Sequence, residues 1–228
     1  MGTLLSGLRA ALRRARDPEK AAPMQAYMKS AMPYHGVPAS AARRVFRDVL
    51  AGADVSSAAA WRREVLGLWR GAEFREERYG ALWLCGHKGA RAHQTPEAMP
   101  LYEELIVAGA WWDYVDDLAA HRVGPIVLSH PGPMKRLMRS WSRSDDLWKR
   151  RTSIICQLGA KERTDLALLY DCIEPSLASR EFFLRKAIGW ALRQLAWRDP
   201  AEVRRYVKGM GDRLSPLSRR EAIKNIGD

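Results

Sequence analysis

Apolar residues recur along this chain at intervals of three and four rather than two. That is the 3.6-residue period of amphipathic helices, and strand-like alternation is nearly absent. Read segment by segment, the period predicts helices over about 3–16, 19–32, 39–52, 56–70, 73–91 and 96–108. It continues over about 110–121, 133–142, 146–159, 162–175, 179–197, 199–209 and 216–226. The breaks fall on helix-stopping chemistry: "MPYHGVPAS", "HRVGPIVLSHPGP", "WRDP" and "GMGDRLSP". Ser218, with Glu221 three residues on, predicts a capping box for the last helix. No Gly/Ser/Pro-rich stretch is long enough to divide the chain, so 1–228 reads as one domain.

About a dozen short helices with short connections can bury their apolar faces in two ways, as a compact bundle or as antiparallel pairs stacked side by side. The expected fold class is all-α, with the stacked arrangement, an α-solenoid, favoured. Internal repetition is faint: "WRREVLGLW" from Trp61 and "WKRRTSIICQ" from Trp148 both open Trp-basic-basic helices. Core stripes are clear in several segments. Leu4, Leu8, Ala11 and Leu12 form one; Leu184, Ile188, Ala191, Leu192 and Leu195 form another; Leu147, Ile154, Ile155 and Leu158 a third.

The charge changes the picture. Lys and Arg number 38 against 26 Asp and Glu, a formal net charge of +12. A surface with that excess attracts polyanions, nucleic acid first and anionic membrane second. Three widely spaced cysteines and five histidines, with no CxxC or HExxH spacing, give neither a disulfide framework nor a metal site and suit a reducing, intracellular compartment. No apolar run approaches a membrane span, and the N-terminus lacks the apolar core of a secretory signal. "MGTLLS" matches the loose N-myristoylation pattern, but its leucines read as the start of the first amphipathic helix.

Against that basic background, "AWWDYVDDLA" sets three aspartates beside two tryptophans. On a helix, Trp111, Val115 and Leu118 make an apolar stripe, while Trp112 and Asp116 share another face one turn apart. In "SREFFLRKAIGWALRQLAW", Trp190 points about 200° from Ile188, between Lys186 and Arg193. An indole so flanked either packs on a neighbouring helix or meets a charged backbone. Arg151, in the margin of its helix's apolar side, either snorkels or reaches a phosphate.

With "WWDYVD", "LWKRR" and "REFFLRKAIGW" in one chain, the sequence resembles the AlkD family of DNA alkylation repair enzymes, alkylpurine DNA glycosylases built from HEAT-like repeats. The resemblance runs from about Asp17 almost to the C-terminus. It implies an α-solenoid of HEAT-like antiparallel helix pairs forming a curved, basic concave surface. It implies that Trp112, Asp116 and Trp190 are the catalytic trio, accompanied by Arg151 as a phosphate-contacting or Asp-supporting residue. Tyr27 and Arg193 are implied as DNA-backbone contacts, and Lys186 joins them from its position beside Trp190. The expected partner is double-stranded DNA containing alkylated bases, bound by a monomer with no cofactor, no metal and no membrane.

Those residue types suit that chemistry. An N3- or N7-alkylated purine is cationic, so it leaves as a neutral base without a general acid. One carboxylate then suffices to stabilise the oxocarbenium-like sugar and place a water. Aromatic rings attract the same positive charge, at about 0.5–2 kcal/mol each. Two other functions fit the residues: a non-catalytic HEAT-like protein binding damaged or branched DNA, and a protein-interaction scaffold.

Overall fold

The computed structural model describes residues 3–226; Gly2 of the "MGTLLS" motif lies outside them. Among the described residues there are fourteen α-helices and no strand, so the fold is all-α as the periodicity predicts. The chain divides into two compact units, one up to His93 and one from Gln94.

The first unit comprises α1 (Leu4–Arg14), α2 (Pro18–Met28), α3 (Ala39–Leu50), α4 (Ala58–Arg70) and α5 (Arg75–Cys85). Leu8 and Leu12 of α1, Phe46 and Leu50 of α3, and Trp61, Val65, Leu68 and Trp69 of α4 are all buried. The helices close on Gly80 of α5, where a Cβ would stand 2.6 Å from a Leu8 methyl. A polar knot ties the α2–α3 connection to α5. The buried Glu76 carboxylate accepts the backbone N–H groups of His35, Gly36 and Val37 at 2.9–3.1 Å. Gly36 has φ +80°, which an L side chain rarely adopts. Next to it, Glu77 is fully buried and grips Arg9 of α1 through Nε at 2.8 Å and Nη2 at 3.0 Å. Burial alone would raise the Glu77 carboxyl; the His35 imidazole 3.6 Å away and hydrogen bonds from Arg9 and the Glu73 amide outweigh it and hold it down at about 2.

The second unit comprises α6 (Met99–Gly109), α7 (Trp112–Leu118), α8 (Gly124–Ser129), α9 (Pro131–Trp141), α10 (Leu147–Ile155), α11 (Leu166–Ile173), α12 (Phe182–Ala196), α13 (Pro200–Met210) and α14 (Pro216–Ile223). At its centre α10 packs against α6, α7, α9, α11 and α12, and α12 packs most extensively on α14. The predicted stripe of α12 is buried throughout. That of α10 is buried at Ile154 and Ile155 and half-buried at Leu147 and Leu158.

Two expectations need correction here. The break predicted at "HRVGPIVLSHPGP" contains α8, reached from α7 through a π-helical turn over residues 119–123. Gly124 donates to Ala119 O, a five-residue step, and Pro125, which has no N–H to donate, follows it in the first turn of α8. Gly124 is there for packing, since a Cβ would meet the Cys156 carbonyl at 2.2 Å. Nor is Ser218 an N-cap. Ser215 caps α14 by accepting the Ser218 amide at 3.1 Å, and Ser218 is buried with its hydroxyl donating to Arg185 O at 2.8 Å.

Candidate active site

The site begins at a turn. α6 ends at Ala110, which sits in the left-handed region at φ 42°. Trp111 then turns to extended backbone and α7 starts at Trp112. This sends the two adjacent indoles in different directions. Trp111 packs into an aromatic cluster with Trp148 of α10 and Phe183 of α12, ring centroids 6.3 and 5.5 Å away. Trp148 and Phe183 lie 5.0 Å apart, and the exposed Phe182 stands edge-on to Phe183 at 5.5 Å. Val115 and Leu118, the rest of the predicted stripe, are fully buried. Trp112 is half-buried and makes no ring contact among the described residues.

One turn after Trp112, Asp116 meets Arg151. Asp146 caps α10 by accepting the Trp148 and Lys149 amides at 2.9 and 2.8 Å, which fixes the first turn of that helix. Arg151 follows Trp148 by three residues, on the same side. Its guanidinium forks onto the carboxylate: Nε donates to Oδ1 and Nη2 to Oδ2, both at 2.7 Å. Nη1 donates to the Phe183 carbonyl at 2.6 Å, and the guanidinium carbon lies 5.8 Å from the Phe183 ring centre. Only 5% of the Arg151 side chain and 15% of Asp116 is exposed. Burial pushes the Asp116 carboxyl above the usual aspartate range; Arg151 pulls it back in part, and the charge on Asp113 adds to the rise. The result is a fixed, largely desolvated carboxylate, paired on one edge, beside an apolar aromatic wall.

Phe183 carries the geometry to α12. Seven residues later, on the same side of that helix and roughly 10 Å along its axis, comes Trp190. It too is half-buried, with no ring contact among the described residues. Its neighbours Lys186 and Arg193 are both engaged by Glu221 of α14, at 2.7 and 2.5 Å. Tyr27 belongs to the first unit, on α2, and is 76% exposed. Asp117, next to Asp116, makes no ion pair among the described residues.

The residues that sequence reasoning missed are Trp111, Trp148, Phe183 and Glu221. The doubled phenylalanine seven residues before Trp190 was a usable signal for Phe183. Nothing in the spacing distinguished Trp111 as part of an aromatic cluster from Trp111 as ordinary core. Among the described residues no group of three His, Cys, Asp or Glu side chains could hold a metal, and no helix is long and apolar enough to cross a membrane.

Comparison with known proteins bears on this arrangement. The solved structure described as a predicted DNA alkylation repair enzyme from Enterococcus faecalis matches with a TM-score of 0.83 at 29% sequence identity. The match covers 92% of this chain and 96% of that one. No curated protein sequence matches. The sequence profile described as DNA alkylation repair enzyme matches residues 8–226, a span that contains Trp112, Asp116, Arg151 and Trp190. By that near-complete match, the chain belongs to the DNA alkylation repair enzyme family.

Proposed function

We propose that this protein is a DNA glycosylase that hydrolyses the N-glycosidic bond of cationic N3- or N7-alkylated purines in duplex DNA. The observation that carries the reading is the Asp116 carboxylate, held at two points by buried Arg151 and mostly withdrawn from water. A charge fixed in such surroundings acts more strongly on developing positive charge than the same charge in water. As the glycosidic bond breaks, its electron pair goes to the purine, which leaves neutral. The sugar becomes oxocarbenium-like, and Asp116 opposes that charge. Water then adds at C1′, and its proton passes to the carboxylate or to solvent, leaving an abasic sugar.

In this reading Arg151 supports Asp116 rather than contacting phosphate, because its Nε, Nη1 and Nη2 all donate inward. Trp112 and Trp190 offer π-faces to the cationic sugar and its backbone. Asp116 works as the anion, so the rate falls as pH drops through its midpoint. Burial sets that midpoint above the range of an exposed aspartate.

The test is substrate charge. Incubated in excess with duplex containing N7-methylguanine, the protein is expected to release the base, and with a neutral lesion such as hypoxanthine it is expected not to. Salt-sensitive DNA binding without release of either base would instead identify a non-catalytic DNA-binding member of the family.

A further inference from the structure

Trp190 lies between two cations on one side of α12, Lys186 four residues before it and Arg193 three after. Both are committed to one carboxylate of α14: Lys186 Nζ donates to Glu221 Oε1 at 2.7 Å and Arg193 Nη1 to Oε2 at 2.5 Å. A single carboxylate spans side chains seven residues apart only where its helix comes very close. Gly189, between the two cations, is that place. A Cβ there would stand 2.4 Å from Glu221 Cβ and 2.8 Å from the Ser218 carbonyl. Ser218 completes the seam through its bond to Arg185 O.

The pairing leaves capacity. Lys186 has three N–H donors and gives one to Glu221; the Arg193 guanidinium has five and gives one. Of the side chains, 40% of Lys186 and 24% of Arg193 remain exposed, against 15% of Glu221. The carboxylate is therefore the inner member, and both cations keep part of their side chains in solvent.

We propose that Glu221 is a positioning and specificity-determining residue: it orders Lys186 and Arg193 on either side of Trp190 and halves the net charge that this cluster offers to undamaged DNA. The inference rests on the reading of the chain as a DNA glycosylase. Two cations and one carboxylate carry a net charge of +1; with the carboxylate neutralised, the cluster carries +2. Each added phosphate neutralised steepens the salt dependence of duplex binding by about 0.9 in log–log slope. Freed cations also grip any backbone in many registers, whereas ordered ones fix one register relative to Trp190.

The experiment compares wild type, Glu221→Gln and Glu221→Asp. Two quantities are measured: affinity for undamaged duplex over a salt series, and single-turnover release of N7-methylguanine at saturating protein. Glu221→Gln is expected to bind undamaged duplex more tightly, with a slope steeper by about one, and to release base several-fold more slowly. Glu221→Asp keeps the charge but is too short to reach both cations. It is expected to keep the wild-type slope and lose rate. An unchanged slope in Glu221→Gln, or an unchanged rate in Glu221→Asp, overturns the proposal. A purely structural role would lower the melting temperature of both variants without moving the slope. If wild type binds with steep salt dependence but releases no base, the glycosylase reading fails, and the Glu221→Gln slope still decides the role of Glu221.

Discussion

A carboxylate with 15% of its side chain in water has to be paired or neutral, and Asp116 is paired. The pair is worth more as a geometry than as a bond, because desolvating both charges offsets much of their attraction. Removing one partner is different. Arg151→Ala leaves the carboxylate buried alone and is expected to destabilise the protein by about 3–5 kcal/mol at neutral pH. With the cation gone, the Asp116 midpoint in the folded state rises further. A folded-state midpoint raised above the unfolded one favours folding at low pH and loses that contribution as pH increases. Urea unfolding should therefore find the deficit of Arg151→Ala shrinking on acidification; a deficit independent of pH would contradict the assignment. The two adjacent tryptophans should also separate. Trp111→Ala empties the aromatic cluster and is expected to cost roughly 3 kcal/mol, whereas Trp112→Ala should lose little stability and most of the base-release rate. At this scale the sequence was informative about faces. It put Trp112 and Asp116 on a different side from Val115 and Leu118, and Arg151 at an apolar margin. It could not name the partner of Arg151, since spacing along one helix says nothing about which helix lies opposite.

Between elements, glycine does work that pattern reading took for punctuation. Gly124 was read as part of a break, yet it lies within a helical run and lets the Cys156 carbonyl approach. Gly189, inside the helix predicted over 179–197, marks the crossing of α12 and α14. Alanine at either position is expected to cost about 1–3 kcal/mol through forced backbone shifts, measured as a lower urea midpoint with unchanged m-value. A neutral result would mean that these seams can open. The Ser218–Glu221 spacing has the form of a capping box, but both side chains are used across the helix interface, and the cap falls to Ser215. Helix existence and type were legible almost throughout. The π turn was not, because Gly124 and Pro125 directly after it read as helix-stopping residues.

For the molecule as a whole, charge and acid sensitivity follow from different residues. The excess of 38 basic over 26 acidic side chains was legible as a partner class and fits the DNA repair family to which the chain belongs. The buried acidic knot of the first unit was not legible, since "REER" reads as an exposed charge run. Glu77 contributes stability that is complete above its unfolded value near 4.5 and is lost as pH falls toward about 2. Arg9→Ala should lower stability at pH 7 by about 3 kcal/mol and flatten the acid limb of the stability profile; an unaltered acid limb would exclude Glu77 as its source. The proposed catalysis makes the sharpest demand, because in that reading it needs the charge of Asp116 and not merely its shape. The decisive measurement is single-turnover release of N7-methylguanine from duplex DNA by wild type and by Asp116→Asn, at protein concentrations where both are fully bound. Release by wild type, slowed about 10-fold or more in the variant, corresponds to at least ~1.4 kcal/mol of transition-state stabilisation from that charge. Equal rates in the two proteins would contradict a catalytic role for Asp116.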